Sequence, residues 1–519
     1  MKVLLVTGQL AKESVRYFAE ESGVKCDVAD LPIQVAALMT PKFVIDELGK
    51  RALSGYAMVL LPGMMEGNIS PVEESLGIKT FKGPRHAADI PPVLLKIDRL
   101  KLSKVTPACE LLKGGLRKRA EETLRKANLD KRPLRKRGNL LLRHLPVGRD
   151  YPMRVMAELS GATSLPDEEI ARSADYYLRS GADIISLGTN ADHPDPRRAG
   201  EIVHLLRERL NVPIAIDTLH LEEARQALIS GADLFVGAEA NSLETLSAAS
   251  DKALVVMPMD CRRGLSPKDA EGRVRLLSEN ILKARNLGFK RVIGDLILDS
   301  INSPGLVEAL VAYRNFSKNN SNVPLLLGIG NITELLDADT VGANAVLAGI
   351  ASELGASILL TTEVSDKARG CVRELSIASR MMFLAKTRRS PPKDLGLDLL
   401  LLKDKRFREE MYEPSVIEGG YGRIKLARTP PSAKPDKKGV FRIMVDRRGG
   451  QIAALHFLIG GKEPDVIVKG ATARDLYDTI VRDGLISDPL HAAYLGCELG
   501  KAEIALKIGK AYNQDFPLF

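Results

Sequence analysis

Short, unbroken runs of apolar residues recur along the middle of the chain, and stretches with helical spacing of apolar residues separate them. The run 212–218, Val-Pro-Ile-Ala-Ile-Asp-Thr, is typical, because it is apolar, ends in Asp217 and is followed at once by a helical pattern. A strand buried on both faces of a parallel sheet has such a sequence. We therefore predict parallel strands at 154–159, 183–188, 212–218, 233–237, 254–258, 291–295, 324–328 and 357–361.

Gly-Ala pairs precede several of these strands, at 181–182, 231–232 and 355–356. Glycine adopts the left-handed conformation that commonly ends a helix, so each pair is predicted to close a helix before the next strand begins. Eight strand–helix pairs in roughly 240 residues have the size and rhythm of a (β/α)8 barrel. A doubly wound open sheet is the alternative, since the spacing alone does not establish closure.

Asp217 is the first candidate for a functional residue. In barrel enzymes the chemistry lies at the C-terminal ends of the strands, and Asp217 ends a predicted strand. The structural alternative is that this carboxylate caps the helix that follows it.

The segment 214–233, which contains Asp217, resembles the part of dihydropteroate synthase in which an Asp at a strand end binds the pterin ring. Residues 152–388 resemble the pterin-binding barrel of that enzyme and the pterin-binding domain of corrinoid-dependent methyltransferases. The implied contact is chemically sound, because the pterin edge offers two parallel N–H donors and one carboxylate accepts both. The pterin-binding residues that we predict are Asp217, Asn190, Asp295, Asn331, Met257 and Glu158.

The sequence differs from the usual synthase pattern at four places. Asn331 stands where synthases place a Lys, and 360–364 replaces the usual Arg and His that hold the diphosphate. Ser186 stands where a second Asp is common, and Glu158 where the first loop has Asn. The longer segment 331–380 is most similar to archaeal dihydropteroate synthase-related proteins, which carry the barrel between additional N-terminal and C-terminal domains.

The resemblance implies a transferase that joins 6-hydroxymethyl-dihydropterin diphosphate to an aryl amine in folate or methanopterin biosynthesis. The amine would be p-aminobenzoate or ribofuranosyl-aminobenzene phosphate. Mg²⁺ is expected to accompany the diphosphate, with no tightly bound cofactor and no metal held by the protein alone. The side chains predicted to hold the diphosphate are Arg197, Arg198, Arg262, Arg263 and Lys367.

Two other functions stay open. Asn331 and Glu158 are similar to the methyltransferase branch, which would require a corrinoid partner, although the Asp-x-His-x-x-Gly corrinoid motif is absent from the sequence. The third hypothesis is a pterin-binding protein without catalytic activity. Barrel synthases are often dimers, so analogy suggests a homodimer.

The remaining segments divide the chain into five parts. We predict a small α/β domain at 1–112, a basic linker at 113–151, the barrel at 152–388, a Pro- and Lys-rich connector at 389–439 and an α+β domain at 440–519. The first domain has strand patterns at 2–8, 25–31 and 58–64, without a phosphate-binding glycine motif. Its polar loop 83–89, Gly-Pro-Arg-His-Ala-Ala-Asp, either holds an anion, covers the barrel or simply connects two elements.

Charge and composition restrict the class of protein. The net charge is +9, and residues 113–149 hold thirteen Lys or Arg against three acidic residues. A nucleic-acid-binding arm would normally include aromatic residues, so we favour a solvated linker whose positive field attracts anionic substrates. The five cysteines contain no C-x-x-C pair, which argues against a zinc site or a disulfide framework. No apolar run is long enough to cross a membrane and the first residues do not resemble a signal peptide, so a cytoplasmic protein is expected.

Overall fold

The structure is a computed structural model that describes residues 2–112, 115–403, 436–447 and 449–519. The chain forms two compact units, Met1–Leu399 and Leu400–Phe519. The first unit contains the N-terminal sheet and the barrel.

A four-stranded parallel sheet begins the first unit, in the strand order β2-β1-β3-β4. Alternate residues of β1 contribute to separate apolar clusters, which include Val3 and Leu5 on one face and Leu4 and Val6 on the other. Helices therefore cover both faces, as expected for a buried parallel sheet. The strands are β1 (Val3–Gly8), β2 (Cys26–Leu31), β3 (Met58–Leu61) and β4 (Thr80–Lys82).

Eight parallel strands close into a barrel, in the order β10-β11-β12-β13-β14-β7-β8-β9. The predicted (β/α)8 barrel is confirmed, and the open-sheet alternative is wrong. Every predicted run contributes one strand of the barrel. These strands are β7 (Arg154–Leu159), β8 (Ile184–Gly188), β9 (Ile214–Asp217), β10 (Leu234–Ala238), β11 (Ala253–Val256), β12 (Arg291–Gly294), β13 (Leu325–Gly328) and β14 (Ala356–Thr361).

The basic segment before the barrel is not a simple linker in the described residues. It contains a helix, Gly115–Leu129, followed by the antiparallel hairpin of β5 (Asn139–Leu142) and β6 (Leu145–Gly148). Leu142 and Val147 of this hairpin are fully buried in one cluster with the residues that line the barrel interior. The hairpin therefore closes the end of the barrel at which the strands begin.

Helices separate the strands of the first unit. Before the barrel they are α1 (Lys12–Glu21), α2 (Pro41–Leu48), α3 (Ser70–Leu76), α4 (Ile90–Leu94) and α5 (Gly115–Leu129). Within the barrel they are α6 (Asp167–Ser180), α7 (Pro196–Arg209), α8 (Leu221–Ile229), α9 (Ser242–Thr245), α10 (Ala270–Asn286), α11 (Leu306–Asn319), α12 (Gly330–Thr333), α13 (Thr340–Leu354) and α14 (Cys371–Arg388).

The second unit packs two helices against one three-stranded antiparallel sheet. Its strands are β15 (Val440–Asp446), β16 (Gln451–Phe457) and β17 (Val466–Gly470), and its helices are α15 (Ala473–Arg482) and α16 (Pro489–Ile508). Leu476 and Leu499, one from each helix, are fully buried against the sheet. The predicted α+β character of this part of the chain is confirmed.

Candidate functional site at the barrel mouth

The barrel interior is apolar where the strands begin and becomes acidic where they end. Met156, Ala215 and Ile293 face the barrel axis in one apolar cluster. Because side chains alternate along a strand, the next inward positions on the same strands are Glu158, Asp217 and the residue that follows β12, Asp295. We call this end of the barrel, where the strands end, the barrel mouth.

Glu158 extends from the end of β7 across β8 toward Asp217. A Cβ atom added to Gly188 would lie 2.2 Å from the Glu158 Oε1 atom, so the carboxyl group covers this glycine. Gly188 is the residue of β8 that pairs with Asp217 of β9. Ser160 donates a hydrogen bond of 3.0 Å to Glu158 Oε1, and the Ser160 hydroxyl contacts the hydroxyl of Thr362. The ends of the first and last barrel strands are thereby joined beside the site.

Burial dominates the electrostatics of the mouth. Burial, and next the negative charges of Glu158 and Asp295, together raise the pKa of Asp217 to about 7. Burial also raises the pKa of Glu158, against the hydrogen bond from Ser160. A cluster of carboxyl groups with raised pKa values at the ends of barrel strands is a physical indication of function.

Asp295 is held by groups behind the mouth. Its Oδ1 atom accepts hydrogen bonds from the Tyr313 hydroxyl at 2.5 Å and from the Ile297 backbone N–H at 2.8 Å. Burial raises the pKa of Asp295, and these hydrogen bonds act in the opposite direction. Among the described residues no hydrogen bond reaches its Oδ2 atom. Asp295 therefore has a fixed orientation and one free acceptor.

The loop after β12 is strained and is held by a buried arginine. Ile297 has a φ of 64°, a left-handed conformation that is rare for a β-branched residue. The Arg273 side chain is 1% exposed and donates to the carbonyl oxygens of Leu296 and Ile297 at 3.2 and 2.7 Å. Its guanidinium also pairs with Asp299 at 2.5 Å. These contacts offset the backbone strain and preserve the shape of the loop.

Asn331 and Met257 lie at the ends of two further strands. The Asn331 Nδ2 atom donates to the Leu298 carbonyl at 2.9 Å, so its Oδ1 atom is left to accept from a ligand. Met257 follows β11, and its Cε atom lies 3.8 Å from a Cβ atom added to Gly237. Gly237 has a φ of 105° at an irregularity of β10, where a larger residue would be strained.

Asn190 and Ser186 complete the polar residues of this region. The Asn190 Oδ1 atom accepts from the Asp192 N–H at 3.1 Å, which orders the loop after β8. The Ser186 hydroxyl is fully buried and has no hydrogen-bond partner in the described part of the chain. The roles of these side chains toward a pterin stay predictions.

Four of the five predicted diphosphate ligands already contact carboxylates. The measured pairs are Arg197 with Glu201 at 2.9 Å, Arg198 with Asp167 at 2.7 Å, Arg263 with Asp260 at 4.0 Å and Lys367 with Asp337 at 2.8 Å. Arg262 is exposed and has no carboxylate within salt-bridge distance among the described residues. A diphosphate would have to compete with these carboxylates for four of the five cations.

The residues that support the site were not identified from the sequence. Tyr313 and Arg273 lie on α11 and α10, each far in sequence from the strand end that it supports. Glu223 is likewise fully buried and accepts from the hydroxyls of Thr189 and Thr218 at 2.8 and 2.6 Å. The only sequence signal is a charged or hydroxyl-bearing residue on the buried side of an otherwise apolar helix face.

Further features of the described residues bear on the class of protein. No group of three or more His, Cys, Asp or Glu side chains there has the arrangement of a metal site, and all five cysteines are free thiols. Among the helices of the described ranges, none is both long enough and apolar enough to cross a membrane.

Two family models match the ends of the chain. Residues 1–85 match a family of unknown function, DUF6513, and residues 435–515 match the family PterinBD-DUF4346. A full-length relative, the uncharacterized protein MJ0107 of Methanocaldococcus jannaschii, is 38% identical over 535 aligned residues, which cover 100% of this chain and 99% of the relative.

The barrel is also similar to dihydropteroate synthases. The enzyme of Synechocystis sp. is 29% identical over 163 residues, which cover 28% of this chain and 54% of that enzyme. The solved Xanthomonas albilineans enzyme with indole-2-carboxylic acid and 6-chloroguanine is 20% identical, with a TM-score of 0.38, over 47% of this chain and 96% of that chain. The same enzyme with 7,8-dihydropteroate is 21% identical, with a TM-score of 0.37, at the same coverage.

Proposed function

Because this chain belongs to the archaeal dihydropteroate synthase-related family of pterin-binding barrels, we propose that it is a transferase that joins a 6-hydroxymethyl-dihydropterin diphosphate to an aryl amine. The observation that carries the proposal is Asp217, a half-buried carboxylate with a raised pKa at the end of β9, in a mouth formed by other strand ends. The aryl amine would be p-aminobenzoate or ribofuranosyl-aminobenzene phosphate.

Asp217 would bind the pterin edge. Its two oxygens accept from the two parallel N–H groups of the ring, which favours the ionised carboxylate. Since its pKa is about 7 in the free protein, binding below neutral pH releases a proton. Asp295 Oδ2 and Asn331 Oδ1 are further acceptors for ring N–H groups, while Glu158, Asn190 and Met257 complete the surroundings of the ring.

The reaction requires positioning more than covalent catalysis. The bond between the pterin methylene carbon and the diphosphate oxygen breaks, and the leaving group takes the electron pair. The amine nitrogen then forms the new C–N bond and loses a proton. A mouth that holds both reactants and excludes water lowers the barrier through orientation and electrostatic stabilisation.

The leaving group would be neutralised by Arg197, Arg198, Arg262, Arg263 and Lys367. Arg262 is free of a carboxylate within the described residues, and the other four would exchange a carboxylate for a phosphate oxygen. Mg²⁺ would enter bound to the substrate diphosphate.

The engaged cations favour a second candidate function. A mouth with three acidic side chains, of which Asp295 is buried and Glu158 and Asp217 are half-buried, is better suited to a pterin without phosphates, as in methyl transfer to a corrinoid partner or in non-catalytic pterin binding. These functions need the pterin contacts of Asp217 but none of the five cations.

One experiment separates the candidates. The purified full chain is mixed with the pterin diphosphate and each aryl amine, and released diphosphate and the coupled pterin product are measured. We expect release that depends on the amine and is lost in Asp217→Asn. Pterin binding without release would favour the second candidate, and the absence of pterin binding would contradict both.

A further inference from the structure

The N-terminal domain has a cavity of about 230 Å³ at the C-terminal edge of its sheet. The cavity lies between β1 and β3, the two strands from which the chain proceeds to opposite edges of the sheet. In open parallel sheets ligands bind at this position, because the diverging loops leave a crevice. Its volume is below the roughly 300–1,000 Å³ of drug-sized sites, so it is suited to a small molecule.

Most of the cavity wall is apolar. Leu5, Leu60 and Ile90 line it and belong to the cluster that packs α1 against the sheet. Val35 also lines the cavity and is 42% exposed, so this side connects the cavity to solvent. A small apolar body would be shielded from water here.

One polar group in the wall has no protein partner. Thr7 at the end of β1 is 2% exposed and lines the cavity, and among the described residues its hydroxyl makes no hydrogen bond. Thr7 is not among the side chains whose polar atoms are fully enclosed without a partner, so its oxygen is open to the cavity and can bond water or a ligand. The hydroxyl therefore offers one hydrogen bond to a molecule in the cavity.

Arg85 adds a charged donor to the same wall. Its Nε and Nη2 atoms contact Glu110 Oε1 at 2.9 and 2.7 Å, while the Nη1 atom reaches only the Met64 sulfur, at 3.9 Å. Thioether sulfur is a weak acceptor, so the N–H groups of Nη1 remain available to a stronger one. His86 lines the cavity too, and its Nε2 atom contacts Asp394 at 3.1 Å.

Lys82 places a second cation close to Arg85. Lys82, on β4, is 4% exposed, and its ammonium donates to the Met65 carbonyl at 2.7 Å. Burial, and next the charge of Arg85, lower the pKa of Lys82, which shows that the two cations are close. Glu110 pairs with Arg85, and its charge also raises the pKa of Lys82, so this carboxylate acts on both cations.

The rim of the cavity is closely packed. A Cβ atom added to Gly63 would lie 2.4 Å from the Gly83 carbonyl oxygen, so the loops after β3 and β4 contact each other directly. This packing fixes the loop that carries Arg85 and His86. Asp89 in the same loop pairs at 2.9 Å with Arg388, the last residue of α14. Because α14 runs back from the barrel mouth, the loop lies at the opposite end of the barrel and does not cover the mouth.

We propose that this cavity is a binding site for a small anion with an apolar body, a carboxylate or a phosphate ester, held by Arg85 and Thr7 and separate from the pterin site. The apolar wall takes the body of the ligand, and the Arg85 Nη1 and the Thr7 hydroxyl take its anionic group. The proposal is independent of the reaction catalysed at the barrel mouth.

Four probes test the ligand chemistry on the full chain by calorimetry and ligand-detected NMR. They are benzoate, phenyl phosphate, benzyl alcohol and inorganic phosphate. We expect benzoate or phenyl phosphate to bind at least tenfold more tightly than benzyl alcohol and inorganic phosphate, and the stronger of the two identifies the anionic group. Equal binding of benzoate and benzyl alcohol, or no binding by either anion, would overturn the proposal.

Variants locate the site. Arg85→Gln should weaken binding of the preferred anion at least tenfold, Thr7→Val should weaken it severalfold, and Val35→Trp should block entry. Arg16→Gln is the matched control, because Arg16 is an exposed residue on α1 outside the cavity wall. Asp217→Asn should leave binding unchanged. Binding lost in Asp217→Asn but retained in Arg85→Gln and Val35→Trp would assign the anion to the barrel and refute the cavity site.

Discussion

Replacing Asp217 with Asn should stabilise the fold at alkaline pH and weaken pterin binding. In the folded chain the pKa of Asp217 rises from 3.8 to about 7, chiefly through burial. The folded state therefore retains a proton that the unfolded state has lost between about pH 4 and 7. Stability falls as the pH rises through this window, because the unfolded state binds fewer protons than the folded state there.

The magnitude follows from the pKa difference. The rise of the pKa from 3.8 to about 7 corresponds to at most about 4 kcal/mol of lost stability at pH 8. The isosteric amide carries no charge and escapes this cost. About 1.5 kcal/mol of this loss has already occurred at pH 5, so we expect the unfolding free energy of Asp217→Asn, relative to wild type, to increase by about 2–3 kcal/mol between pH 5 and 8.

The assay is urea denaturation of both proteins at pH 5 and pH 8. Asp251→Asn is the control, because Asp251 is exposed and should respond equally at both pH values. A constant difference between Asp217→Asn and wild type would refute the burial argument.

Pterin affinity tests the functional part of the same prediction. The amide replaces one of two acceptors with a donor that faces a ring N–H, which costs about 1–3 kcal/mol, or about a 5- to 150-fold loss of affinity. In wild type the affinity should increase as the pH rises through about 7, because the ionised carboxylate is the binding form. Titration calorimetry that shows the same affinity in both proteins would remove Asp217 from the site.

Three further substitutions test the surroundings of the site. Tyr313→Phe removes the hydroxyl that donates to Asp295, so the free energy of unfolding should fall by about 1–3 kcal/mol and the pKa of Asp295 should rise. An unchanged urea denaturation curve would contradict this prediction. Gly188→Ala places a methyl group 2.2 Å from Glu158 Oε1, so it should displace that carboxyl group and weaken pterin binding. The circular dichroism spectrum should stay unchanged. Wild-type pterin affinity in this variant would show that the position of Glu158 is not needed for binding. Arg273→Met leaves buried acceptors unpaired and should destabilise the chain by about 3–5 kcal/mol in thermal and urea unfolding, and a loss below 1 kcal/mol would mean that the loop holds its own shape.

Elements with a strong local signal were predictable from the sequence. The barrel strands are continuous apolar runs between helices, several of which end at a glycine, and each such run forms one strand of the barrel. Elements with weak local signals were not predicted from the sequence. β4 has three residues, and the hairpin of β5 and β6 lies in a basic segment whose apolar residues are explained only by the barrel end that they cover.

The position of Asp217 at a strand end was likewise visible in the sequence, because a carboxylate after an apolar run interrupts the pattern. The side chains that surround Asp217 could not be predicted from the sequence. Glu158 and Asp295 come close to Asp217 only because strands distant in the sequence close into one barrel, and the pKa of Asp217 depends on that burial. The carboxylates that pair with the predicted cations could not be predicted from the sequence either, because a salt bridge such as that between Lys367 and Asp337 depends on how two loops pack.

The sequence by itself determined the periodicity of the elements, the barrel class and the place of one carboxylate, Asp217, at a strand end, because those properties are encoded by neighbouring residues. The tertiary structure alone decided which side chains share an environment. Burial, charge pairing and the cavity beside Arg85 are properties of groups brought together across long stretches of chain, and their free energies exist only once the strands have closed and the loops have packed.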